Sequence, residues 1–256
     1  MEMRAGFTPP LGELESGYLP AVSGARTTLA GRSSRLALEL DTPARTLGFM
    51  LSFLALRIGA LREIPTWLGT SAGLCQATDP MIAQDLRAAA ALEREHRLLL
   101  MEDLVELRAE LPGVELGSVM AVTLDPRVAR QARVRALVPA REEPLLVLAV
   151  DLELAELGRV LGPALLRACA RQLGPDIDAR RFIRARSSDA QRRIWARLDR
   201  LGPVLEQERG RAGSWARVGS QVCASYFECI EACVEHGRAL AEGDTGFAPR
   251  SLVTWH

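Results

Sequence analysis

Apolar residues recur along most of this chain at intervals of three and four, the spacing of one face of an α-helix, and strict polar/apolar alternation of the strand type is nearly absent. The periodic stretches run over residues 43–62, 79–109, 126–136, 144–173, 177–201 and 214–241. Three of them open on a capping side chain followed by proline: Asp41-Thr42-Pro43, Asp79-Pro80 and Asp125-Pro126. The oxygen of the cap takes an orphan N–H of the first turn, and the proline stands where no N–H is needed. Leu111-Pro112-Gly113, Gly174-Pro175 and Gly202-Pro203 punctuate the later stretches. No longer period repeats, so a helical solenoid is not supported. The pattern predicts an all-α chain, a single bundle of about six to eight helices sharing one core. The bundle spans residues 41–241. It is preceded by an N-terminal arm, residues 1–40, rich in Gly, Ser, Pro and Thr and partly irregular, and followed by a C-terminal tail, residues 242–256.

Composition narrows the function classes. The 256 residues carry 32 basic and 32 acidic side chains, and since the chain contains neither Lys nor Asn, every one of the basic groups is arginine. That bias reads as GC-rich coding, so arginine clusters say little about phosphate. A formal net charge of zero argues against a nucleic-acid surface, which needs a basic excess to profit from counterion release. Met1 to Pro20 holds no apolar stretch of signal-peptide length. The longest apolar run, Leu47 to Leu56, is closed by Arg57 at about half the length of a bilayer crossing. Five cysteines at irregular spacing, Cys75, Cys169, Cys223, Cys229 and Cys233, fit reduced thiols. The expectation is a cytoplasmic protein with no membrane and no nucleic-acid partner.

The informative positions are ionisable residues that fall on apolar stripes, because burying an unpaired charge is costly. On the helix that starts near Pro144, Glu153 shares its face with Leu146, Val150, Leu157, Val160 and Ala164; Glu156 lies at the border and Asp151 points away. On the helix around residue 93, Leu92, Leu100, Leu104 and Leu107 form a stripe with Glu93, His96 and Asp103. Glu93-x-x-His96 has the i, i+3 spacing of carboxylate-bridged di-iron bundles. The last helix carries Glu228, Glu231 and Glu235 on one strip, with His236 beside them. Cys229, Cys233 and His236 stand at i, i+4 and i+7, a soft-ligand spacing, although cysteine is equally a small core residue and the glutamate strip suits a solvated or arginine-paired face. In the segment from Phe182, Asp189 shares a face with Ala185 and Ala196, with Arg192 one turn on as a plain ion-pair partner.

Taken in order, an aromatic and leucine helix (Phe49 to Leu61), a helix with Glu and His, one with a central Glu, a Phe-led helix with Asp and a final aromatic, Glu-bearing helix resemble the heme-oxygenase-like superfamily over about residues 40–241. That superfamily includes TenA-type thiaminases and di-iron oxidases and oxygenases. The resemblance implies a carboxylate and histidine set from separate helices, with Glu153 as the second glutamate and Asp189 as the aspartate of a His-x-x-x-Asp-x-x-His motif. The two flanking histidines fall on Ala185 and Arg192, so the usual set is incomplete.

Three readings follow. In the first, the protein is a metal-dependent, iron-binding oxidoreductase acting on a small organic or biosynthetic substrate. Its metal ligands are drawn from Glu93, His96, Asp103, Glu153, Asp189, Glu231 and His236. In the second it is a degenerate, non-enzymatic bundle that serves as a binding or scaffold partner for another protein and holds no cofactor. The third is a cofactor-free TenA-type hydrolase with a cysteine nucleophile and Glu228. The Phe49 to Leu61 helix is either a homodimer seam or a core element.

Overall fold

The computed structural model describes residues 12–110, 114–136, 138, 143–174 and 177–243, and among them there is no strand. A single π-helical turn, Leu14–Tyr18, leads into α1 (Leu19–Glu39). The chain then runs through α2 (Pro43–Cys75), α3 (Pro80–Glu110), the short α4 (Leu116–Met120) and α5 (Pro126–Ala136). It ends in α6 (Leu146–Leu173), α7 (Arg181–Gln207) and α8 (Ala212–Glu242). The three caps act as the sequence predicts. The Thr42 hydroxyl accepts from the Arg45 amide at 3.3 Å, Asp79 from Ile82 at 2.9 Å and Asp125 from Arg127 at 2.8 Å. No helix among the described residues is long and apolar enough to cross a membrane.

The bundle is built around α6, which packs against α1, α2, α7 and α8, while α2 lies between α3 and α8. From Leu146 to Glu153 every residue of α6 is buried. A helix wrapped on all sides has no outward face, so Asp151, expected to point away, is inside. The aromatic helix is core in its first half. Phe49, Met50, Phe53 and Leu54 are buried, and the Phe49 and Phe53 rings stack at 5.7 Å. Here α2 and α8 cross backbone to backbone. A Cβ on Gly48 would strike the Gly237 carbonyl, and one on Gly237 the Phe49 amide.

Three boundaries differ from the sequence reading. The arm expected over residues 1–40 is helical from Leu14 to Glu39; residues 1–11 lie outside the described set, as do 244–256 of the expected tail. Of its apolar side chains, Tyr18, Val22, Leu29 and Leu36 are buried against the rest of the bundle, while Leu38 is exposed. The hydroxyls of Ser23, Thr27, Thr28, Ser33 and Ser34 turn back on carbonyls of the preceding turn, which removes their competition with the helix. Helix α2 continues through Pro65 to Cys75, and α7 through Pro203 to Gln207. In both cases apolar residues beyond the proline, Trp67 and Leu68 or Val204 and Leu205, are buried, and that packing outweighs the local break.

Candidate functional site

The ionisable residues that share stripes with leucines on α3 are buried, as their positions predict: Glu93, His96 and Asp103 all lie inside. They face α7, whose own buried stripe of Ile183, Ala190, Ile194 and Leu201 also carries Arg186, Arg193 and Arg197. Arg193 is the bridge. It donates through Nη1 to Glu93 Oε1 at 2.7 Å and through Nη2 to Asp151 on α6. Arg197 Nε donates to the other Asp151 oxygen at 2.7 Å, and Arg186 Nη1 adds a short contact to Glu93. The result is a chain of alternating charge, Arg186–Glu93–Arg193–Asp151–Arg197, that ties α3, α7 and α6 together.

Burial works against ionising Glu93, yet Arg186 and Arg193 overcome it and hold the carboxyl down at about 2. Asp151 is likewise driven well below the usual carboxylate range, because Arg193 and Arg197 outweigh its desolvation. Arg193 is raised in return by both acids, against its own burial. Arg186 is lowered: its burial and the neighbouring Arg193 and Arg57 more than offset Glu93.

His96 and Asp189 do meet, with His96 Nε2 3.1 Å from Asp189 Oδ2. The other Asp189 oxygen accepts from Arg192 Nη2 at 2.8 Å, the i, i+3 pair expected from sequence. Arg192 reaches back from solvent, its side chain 72% exposed. Burial and the charge on Arg186 lower the affinity of His96 for a proton, so the imidazole is neutral at pH 7 and the pair is a hydrogen bond between a neutral ring and a carboxylate.

The remaining residues of the expected metal set go elsewhere. Asp103 caps α7 from outside its own helix. It accepts from the backbone N–H of Phe182 at 2.9 Å and of Arg181 at 3.1 Å, so it satisfies two orphan donors of that helix start. Burial still raises its pKa, although both N–H groups oppose this. Glu153 is gripped on the other side of α6 by α1. Arg26 donates through Nε at 3.0 Å and Nη2 at 2.7 Å, and the Tyr18 hydroxyl donates at 2.9 Å. Glu231 takes the same fork from Arg32, at 3.1 and 2.5 Å. His236 Nε2 donates to the Ser118 carbonyl at 2.8 Å.

The expected seven ligands therefore divide among several places, and among the described residues no three His, Cys, Asp or Glu side chains converge on a point where a cation would sit. The chemistry of the donors agrees. Glu93 Oε1 and both oxygens of Glu153 already accept from guanidinium groups, and a divalent ion beside Glu93 would face Arg186 and Arg193 at close range in a poorly screened interior. These residues do not fit iron. The thiaminase-type set fits no better: all five thiols are buried, and Glu228 pairs with Arg130 at 3.0 Å.

Arg186, Arg193 and Arg197 lie on the apolar stripe of α7 by the same periodicity that located Glu93, and that signal was available. Beside this chain of charge, a cleft of about 710 Å³ opens between α3 and α7, lined by Ala88, Ala91, Leu92 and Ala196 together with Asp199 and Arg200. No family model, curated protein or solved structure matches this chain.

Proposed function

We propose that the protein is a metal-independent binding or scaffold protein, a helical bundle of heme-oxygenase-like type in which arginines fill the carboxylate layer that an oxidase would give to metal. The observation that carries this reading is Arg193, which joins Glu93 on α3 to Asp151 on α6. A bridging cation is already supplied by the chain itself, so the acids serve to fix three helices in register. The cleft between α3 and α7 gives such a protein a surface. Its lining of small apolar residues and side chains of both charge signs suits an amphipathic segment of a partner protein.

The oxidoreductase reading keeps one observation: Glu93 Oε2 and His96 Nδ1 are buried, one helical turn apart, and without hydrogen-bond partners. For a metal to use them, Arg186 and Arg193 must leave. Anaerobic loading with Fe(II), followed by desalting and metal analysis, decides between the two. A dedicated site fills to about one equivalent or more by mass action, and chelation then lowers the melting temperature. The binding-protein reading expects less than about a tenth of an equivalent and a melting temperature indifferent to chelator. Retention of about one equivalent, lost in Glu93→Gln and His96→Ala, overturns it.

A further inference from the structure

Arg57 on α2 is 3% exposed, and its guanidinium is only partly satisfied. Nη1 donates to the Tyr226 hydroxyl at 2.9 Å, while Nε and Nη2 are buried with no hydrogen-bond partner. Those two atoms form one edge of the guanidinium plane, the edge that offers two parallel N–H bonds to a single oxyanion. The protein uses the same edge repeatedly on its own carboxylates. Nε and Nη2 of Arg26 hold Glu153, those of Arg32 hold Glu231, and those of Arg127 hold Asp125. At Arg57 the fork is present and no carboxylate is hydrogen-bonded to it; Glu93, whose Oε2 is also unpartnered, acts on it only through space.

The surroundings sharpen the case. The guanidinium carbon stands 5.5 Å from the centre of the Phe182 ring and 5.3 Å from that of Tyr226, so flat aromatic faces flank it. Arg186, Arg193 and Arg197 already hold the two ionised carboxylates of this region, Glu93 and Asp151, by direct contact. Asp189 is occupied by His96 and Arg192. A buried cation with two empty donors is a costly arrangement unless an anion completes it. Arg186 lies close enough to Arg57 to repel it, and its side chain is 22% exposed.

We propose that Arg57 anchors an interior binding site for a small carboxylate, held by the Nε/Nη2 fork between the rings of Phe182 and Tyr226. The inference supplies a ligand class for the binding role proposed above and rests on that role for its purpose. Its test reads anion binding alone, so it fails or succeeds separately from the iron experiment.

The test uses the full chain in a carboxylate-free buffer at constant ionic strength, titrated with formate, acetate, phosphate or chloride while thermal stability and binding heat are followed. Formate or acetate is expected to give a saturable rise in melting temperature, weakened by at least about tenfold in Arg57→Lys, which keeps the charge and loses the fork. Absence of a saturable response to either carboxylate overturns the proposal, as does an equal response in the variant. Saturation by phosphate or chloride alone overturns the carboxylate assignment. Should Arg57→Lys fail to fold, the Nε–H resonances of the wild type decide: acetate must move that of Arg57 and leave that of Arg26 in place, and an unmoved Arg57 resonance contradicts the site.

Discussion

The buried thiols and the acids of the arginine chain meet opposite fates, because Glu93 and Asp151 each lie directly against two guanidinium groups. Burial pushes Cys169 up to about 12 and raises Cys75, Cys223 and Cys233 as well, so none of these four carries a useful thiolate fraction at neutral pH. The folded protein is therefore expected to resist iodoacetamide at pH 8 and to expose all five thiols in denaturant; rapid alkylation of a single cysteine would revive a thiaminase-type nucleophile. Glu93 behaves the other way. Its ordinary value of 4.5 falls to about 2 in the folded chain, so its contribution is complete above pH 4.5 and disappears as the pH falls through the folded value. Melting temperature should decline over that window. Glu93→Gln should flatten the decline and cost about 3 kcal/mol at pH 7, an estimate taken from the size of the shift. A variant with the wild-type acid profile would show that Glu93 is not held by arginine.

At the scale of helices, α7 supplies the charges and α8 the close fit. Removing the bridge in Arg193→Met leaves Glu93 and Asp151 each with one guanidinium fewer, and the loss of one member of a buried pair costs about 3 kcal/mol or more. Chemical denaturation of the variant measures it, and a loss below about 1 kcal/mol would reduce the chain of charge to decoration. Gly237→Ala tests the α2–α8 crossing, where the new methyl meets backbone at Gly48 and Phe49; overpacking of this kind costs about 1–3 kcal/mol or more. The sequence disclosed these helices unevenly. The capped starts at Thr42, Asp79 and Asp125 were legible because capping is local chemistry, and the burial of Glu93, His96, Asp103 and Glu153 was legible because leucines frame them. Helix α1 was hidden, since Val22, Leu29 and Leu36 recur only every seventh residue among Gly, Ser and Thr, and a stripe that sparse becomes a helix through its neighbours. Asp151 was hidden for the opposite reason, because a helix buried all round gives periodicity nothing to contrast.

In the whole molecule, neutral net charge conceals a strong internal pattern. Every cation is arginine, a compositional fact that made each arginine uninformative when read singly, yet these side chains reach the interior acids from α1 and α7 and connect the outer helices to α6. Which guanidinium finds which carboxylate is a matter of tertiary packing, and no spacing along one helix encodes it. The central claim is that arginines, in place of a metal ion, hold Glu93 and Asp151 ionised. Titration of the Glu93 side-chain carboxyl by carbon NMR, followed while the chain stays folded, addresses it most directly. The account predicts that Glu93 remains ionised to the acid limit of the folded state, with a midpoint of about 2. A midpoint at or above 4.5 in the folded protein would contradict it.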